Sequence, residues 1–198
     1  MKTILSSLAI IALSVAAYAA PEIGSKAPDF SVTDTNGKTE TLSQYKGKYI
    51  VLEWTNPDCP FVHKHYDSGN MQKLQKEFTG KGVIWLSINS SADGRQGNYT
   101  PDEWNKIVKD RNAAPTAVLL DKGGVVGKAY EAKTTPHMFI INPDGNLIYE
   151  GGIDNIKSPN PADIPKATNY VQTALDEAMA GKPVTTSVSQ PYGCGIKY

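Results

Sequence analysis

Hydrophobic positions along the chain switch repeatedly between a period of two and a period of about 3.6, and that alternation predicts strands interleaved with helices. Asp29 to Asp34 alternates polar and apolar, Asn36-Gly37 marks a tight turn, and Thr39 to Leu42 continues as a second short strand. Tyr49 to Trp54 and Val83 to Ile88 are nearly continuous apolar runs of strand length, as expected for strands buried on both faces. Between them Met71, Leu74 and Phe78 recur at helical spacing. Pro60 suits the first turn of a helix, and Ser68-Gly69 is expected to interrupt or kink it.

Thr100-Pro101-Asp102-Glu103 combines a cap, a first-turn proline and an acidic first turn, so a helix is expected to start there and run through Trp104, Ile107 and Val108. Ala117 to Leu120 reads as a short buried strand. His137 to Ile141, the turn Asn142-Pro143-Asp144-Gly145 and Asn146 to Tyr149 read as a hairpin. A last helix is expected from about Ala162 to Ala180, followed after Gly181-Lys182-Pro183 by a 15-residue tail that ends Tyr192-Gly193-Cys194-Gly195-Ile196-Lys197-Tyr198. The order βαβα, then hairpin, then helix predicts an α/β sandwich with a mixed sheet, in one domain.

Composition narrows the chemistry. The 198 residues carry 20 basic and 20 acidic side chains, with the basic ones dispersed, so nothing electrostatic points to nucleic acid or an anionic membrane as partner. Two cysteines exclude both a disulfide-dense scaffold and a zinc site built from cysteines. At the N-terminus, Met1-Lys2, the apolar run Ile4 to Ala17 and Ala17-Tyr18-Ala19 read as a signal peptide cleaved after Ala19, the alternative being an uncleaved anchor. The domain boundaries expected are therefore 1–19 for the leader, 20–181 for the globular domain and 182–198 for the tail. An exported, periplasmic protein with no membrane contact in its mature form is the corresponding location, one where disulfides persist.

Candidate chemistry gathers where one strand meets one helix. Cys59 falls at or beside a helix N-terminus, with Asp58 as a possible cap, Pro60 next and His63 one turn on. Unpaired N–H groups and the helix dipole favour a thiolate there. His63 could add positive charge, while Asp58 and Glu53 oppose the shift. The bland alternative is that Cys59 is a small buried core residue. Cys59 and His63 also share a spacing that lets a helix present both to one soft ion, which keeps a copper site open, with His137 as a third ligand. His65 lies about 200° around a helix from His63, so those two are not expected to bind one ion together. Gly123-Gly124-Val125-Val126-Gly127 lacks the ending of a phosphate loop, and a nucleotide cofactor is not expected.

Strand, tryptophan, Cys59-Pro60 and following helix resemble the active-site turn of thioredoxin-fold proteins. Lys133-Thr134-Thr135-Pro136 is similar to that fold's cis-proline loop, and Gly24-Ser25-Lys26-Ala27-Pro28-Asp29-Phe30 resembles the opening of the redoxin branch (alkyl hydroperoxide reductase/thiol-specific antioxidant and TlpA-like). The resemblance covers about Ile23 to Ala180 and is closest to a peroxiredoxin-like subgroup with a single active-site cysteine. It implies a thioredoxin-like sandwich with an N-terminal hairpin extension and a C-terminal tail. It further implies a Cys59 nucleophile tuned by His63, and a substrate groove shaped by Thr135, Pro136, Trp54 and Pro60, with Pro136 in a cis peptide.

Two departures shape what the resemblance carries over. Val62 stands where a thioredoxin-type site has its second cysteine, and Leu52 and Asn56 stand where a peroxiredoxin has Pro and Thr or Ser. A peroxide-polarising arginine would be Arg95 or Arg111. Cys194 is the natural partner for Cys59, with three outcomes open: a redox-active pair, a static disulfide closing a loop of about 135 residues, or two free thiols. The expected function is an exported thiol–disulfide oxidoreductase acting on protein or small-molecule thiols and disulfides, served by a thiol reductant and needing no cofactor. A thiol peroxidase, a copper-binding or copper-delivery protein using Cys59 and His63, and a redox-inactive binding module are the alternatives.

Overall fold

A computed structural model describes residues 21–198; the leader and its cleavage point lie outside the described residues. The first strands, β1 (Ser31–Thr33) and β2 (Thr39–Thr41), form an antiparallel hairpin. Its turn is built by Asp34, whose Oδ1 accepts from the N–H groups of Asn36 and Lys38 while Gly37 takes φ 80°.

The main sheet has five strands in the order β5 (Ala117–Leu120), β4 (Ile84–Asn89), β3 (Ile50–Trp54), β7 (His137–Ile141) and β8 (Leu147–Gly151). Strand β3 pairs parallel with β4 and antiparallel with β7, so the sheet is mixed as its pattern predicts. Alternation along β3 divides the core in two. Ile50, Leu52 and Trp54 face one cluster with Leu86, Ile88, Phe139 and Tyr130, whereas Val51 faces the other with Trp85, Ile140 and Phe78.

Helices α1 (Pro60–Asp67), α2 (Asn70–Gly80) and α5 (Tyr170–Met179) cover the Val51 face. Gly69, at φ 75°, separates α1 from α2 where Ser68-Gly69 predicts a break. Helix α3 (Pro101–Asp110) opens with a complete capping box between Thr100 and Glu103. The short helix α4 (Val125–Ala129) covers the opposite face. The glycine-rich stretch before it leads into a turn in which the N–H groups of Val126 and Gly127 are taken by the Asp121 carboxylate.

The last helix departs from expectation. A 3-10 turn, Pro161–Lys166, contains Pro165, and α5 starts afresh at Tyr170 with the Asn169 side chain accepting from the Gln172 N–H. Proline lacks the N–H that a continuous helix from Ala162 requires, and the sequence carries a second cap to restart it.

The tail does not hang free. It runs beside β8, where the Glu150 N–H donates to the Ser187 carbonyl and the Glu150 carbonyl accepts from the Ser189 N–H, and then forms β9 (Cys194–Gly195) against β6 (Thr134–Thr135). No helix among the described residues is long and apolar enough to cross a membrane.

Candidate active site

Cys59 is the N-cap residue of α1, with Pro60 at the first helical position. Its own carbonyl accepts from the N–H groups of Val62 and His63, which starts the helix without a side-chain cap. Asp58, expected as a cap, instead accepts from the Tyr99 hydroxyl at 2.7 Å, and its N–H is held by Asn56 Oδ1. Asn56 in turn donates to the Gln96 carbonyl, and Gly97 leaves the Asn56 side chain room that a Cβ would fill. The 89–99 segment is therefore a buttress for the active-site turn rather than a bare surface loop.

Thr135-Pro136 is a cis peptide, as expected. The Thr135 carbonyl oxygen lies 3.0 Å from Cys59 Sγ, so the loop and the helix start meet at the sulfur. Across the same loop Cys194 is paired in register with Thr135. This brings the two cysteines together as free thiols, Cys59 fully enclosed and Cys194 half-buried. Burial pushes the Cys59 thiol up. Hydrogen bonding from the Cys194 side chain, from Thr135 and from the backbone N–H groups of Cys194 and Val62 outweighs it, so the thiol lies below its ordinary value. Burial and the neighbouring Cys59 raise the Cys194 thiol. Of the two coupled thiols, Cys59 is therefore the one that loses its proton first.

Several expected site residues fall elsewhere. Trp54 is wholly buried on the other face of the sheet, packed on Tyr130 and Phe139 with its indole N–H on Ser90, so it lines no groove. The pleat decides this: one residue along, Glu53 points to the Cys59 side. His63 turns outward to Asp67, 3.1 Å away, and none of the groups acting on the Cys59 thiol is an imidazole. His137 is buried against Phe139 and accepts from the Lys133 N–H, its pKa pushed by burial down to about 3. Cys59, His63 and His137 do not converge, and no group of three His, Cys, Asp or Glu residues that could hold a metal ion occurs among the described residues. The loop expected to shape a substrate groove, Thr135-Pro136, is itself buried, because β9 lies across it. Pro60 remains exposed. Arg111, one of the two arginines considered, donates to the Pro57 carbonyl at 2.8 Å and stacks on Tyr66.

Two buried polar groups lie under α1, one centred on Glu53 and one on Lys64. Glu53 accepts from Tyr66, Gln75, Trp85 and Ser87. Lys64, fully buried, donates to both oxygens of Asp154, to the Ile156 carbonyl at 2.7 Å and to the Tyr192 hydroxyl at 3.0 Å. His65 joins through Nε2 at 3.3 Å from the same hydroxyl, while its Nδ1 accepts from Asn70, an arrangement suited to the neutral ring. Burial holds its pKa down at about 4. A lysine and a histidine inside an otherwise amphipathic helix read as solvated residues; the signal that could have marked them is the helical phase they share with Phe61, three and four residues earlier.

A mixed five-stranded sheet with helices on both faces, a cysteine at a helix start and a cis-proline loop facing it define a thioredoxin-like protein. The chain belongs to the AhpC/TSA family, whose profile matches residues 23–150. It is 31% identical over 132 residues to the thiol-disulfide oxidoreductase ResA of Bacillus thuringiensis subsp. konkukian, covering 65% of this chain and 69% of that one. It is 33% identical over 132 residues to the selenocysteine-containing peroxiredoxin PrxU of Peptoclostridium acidaminophilum, covering 62% and 64%. Among solved structures, a hypothetical protein from Sinorhizobium meliloti 1021 superposes with a TM-score of 0.76 at 26% identity, covering 91% of this chain and 96% of that one. The family match ends at residue 150, so the tail that carries Cys194 lies outside it.

Proposed function

We propose that the protein is an exported thiol–disulfide oxidoreductase whose working pair is Cys59 and Cys194, two cysteines brought together without a CxxC motif. The observation that carries this is the pairing of Cys194 with Thr135, which sets its thiol against the Cys59 sulfur. The ResA resemblance supports the reaction class, and the apolar leader Ile4 to Ala17 supports export. The Cys59 thiolate attacks one sulfur of a substrate disulfide and expels the other as a thiolate. The Cys194 thiol then passes its proton to that departing thiolate and attacks Cys59 Sγ. This frees the second substrate thiol and leaves the Cys59–Cys194 disulfide. A reductant thiolate restores the pair by entering at Cys194, the more exposed sulfur, with Cys59 leaving as the lower-pKa thiolate.

Alkylation of the mature protein across graded glutathione buffers, followed by mapping of the linkage by mass spectrometry, tests the reading. Reversible linkage of Cys59 to Cys194 is the expected result. Two free thiols at every poise, or a bond that resists the whole glutathione range, would overturn it.

A second reading, thiol peroxidase, is favoured by the enclosure of Cys59, which admits a small oxidant more readily than a protein disulfide, and by the PrxU resemblance. It requires Cys59 to become a sulfenic acid that Cys194 condenses with, releasing water. Stoichiometric peroxide consumption with a thiol reductant, and a trapped sulfenate in Cys194→Ser, are its signatures.

A further inference from the structure

The tail reaches Cys59 by a route with two unusual demands. Tyr192 leaves the surface and enters the core, 7% exposed, with its ring edge-on to Phe61. Its hydroxyl has one hydrogen to donate and two lone pairs to offer, and all three are used. It donates to Asp154 Oδ1 and accepts from Lys64 Nζ and His65 Nε2. A neutral phenol thus completes the shell around a buried ion pair, where hydrogen bonds to charged groups are stronger than average and unfilled positions are costly.

The next residue, Gly193, sits at φ 144°, and a Cβ there would run into the Thr135 carbonyl. The residue after that is Cys194, in register with Thr135. Beyond it the chain is held again, by the Ile196 N–H on the Lys133 carbonyl, the Ala92 N–H on the Lys197 carbonyl and the Tyr198 hydroxyl on the Ala132 carbonyl.

We propose, building on the redox-pair reading above, that Tyr192 and Gly193 are positioning residues for disulfide closure. Tyr192 moors the tail on the Lys64–Asp154 pair, and Gly193 lets it pass flush against the cis-proline loop, so that Cys194 waits at the Cys59 sulfur. A cysteine 135 residues away in sequence would otherwise pay the entropy of closing that loop locally at each turnover. With the tail moored in the dithiol form, that ordering is already in place when the bond forms. With a low-molecular-weight disulfide such as glutathione disulfide as oxidant, Cys59 forms a mixed disulfide and releases one glutathione thiolate. Cys194, losing its proton to that thiolate, attacks Cys59 Sγ and releases the second glutathione. Loss of either positioning residue slows the second step and lowers its equilibrium constant, so the glutathione adduct on Cys59 accumulates.

The test compares wild type, Tyr192→Phe, Gly193→Ala and Tyr66→Phe in glutathione redox buffers, with intramolecular disulfide and glutathione adduct counted by mass spectrometry. Tyr66→Phe removes a buried phenol hydroxyl from the same helix bundle but from the Glu53 group, and so controls for general loosening. The expected result is a tenfold or greater drop in the disulfide equilibrium constant for Tyr192→Phe, equivalent to ~30 mV. A larger drop is expected for Gly193→Ala, and no change for Tyr66→Phe. Linkage in all four proteins with equal constants overturns this inference alone, as does an equal drop in Tyr66→Phe. Absence of the linkage in wild type overturns the redox-pair reading and this inference with it.

Discussion

Helix α1 looks onto two buried polar groups built on opposite plans. Around Glu53 a single carboxyl group collects four neutral donors, all from neighbouring strands and the α1–α2 pair. Burial pushes its pKa up, against the opposing pull of Trp85, Tyr66, Ser87 and Gln75. Around Lys64 the protein pairs a full charge with a full charge, and it gathers partners from α1, the loop after β8 and the tail. The first group joins what the sheet has already placed side by side. The second joins α1, the loop after β8 and the tail, and the tail carries Cys194. Buried ion pairs add little net stability, yet breaking one by removing a single partner is severe. Such a pair therefore suits the task of fixing one position of the tail over others.

The sharpest way to break this contrast is Asp154→Asn, which leaves Lys64 buried without its counter-charge. A loss of about 3–5 kcal/mol in urea-unfolding stability is expected, together with looser tail contacts seen as faster amide exchange at Ile196. Equal effects from Asp154→Asn and Glu53→Gln would show that the two groups do not differ in kind.

Acid acts on the second group next. His65, depressed to about 4, and His137, depressed to about 3, are neutral in the fold and take up protons once unfolded, near 6.5. The unfolded state binds more protons in that window, so stability is complete above pH 6.5 and falls as the pH drops towards 4. Urea midpoints measured from pH 7 to 4 should fall steadily, with a shallower slope in His65→Gln. A flat profile in wild type would contradict both buried imidazoles.

Smaller again is Tyr66→Phe, which removes one of four donors from Glu53 and is expected to cost about 1 kcal/mol while leaving the thiols untouched. Smallest of all is His63→Ala. Its ring is paired with the exposed Asp67 in an i, i+4 contact, so the change in stability should stay under about 0.5 kcal/mol, and the ultraviolet titration of the Cys59 thiolate should not move. A shift of that titration would restore His63 to the site.

These contrasts follow the line between what sequence pattern reveals and what it hides. The cis bond before Pro136 followed from the family resemblance, whereas the order of the main strands and helices, the Thr100 capping box and the break at Ser68-Gly69 were legible because each depends on residues within a few positions of one another. Cys59 at a helix start was legible for the same reason. Trp54 was misplaced because a nearly continuous apolar run hides which residue faces which side of the sheet. His63 was misplaced because shared helical phase with Cys59 says nothing about where a flexible imidazole turns. The burial of Lys64 and His65 was not legible because charged residues are rarely fully buried unless they are paired, and the partners lie at 154 and 192.

Local chemistry in the chain was enough to determine an α/β sandwich with a mixed sheet and the helix that begins at Cys59, since hydrophobic period, caps and turn residues act over short spans, and resemblance to a known fold marked the loop that ends at Pro136. The tertiary structure alone decided that the tail crosses that loop, that Tyr192 completes the Lys64–Asp154 pair and that Cys194 lies against Cys59. The physical reason is that a buried charge has to be compensated by whatever the folded chain brings to it, and that partner is chosen by space rather than by sequence distance.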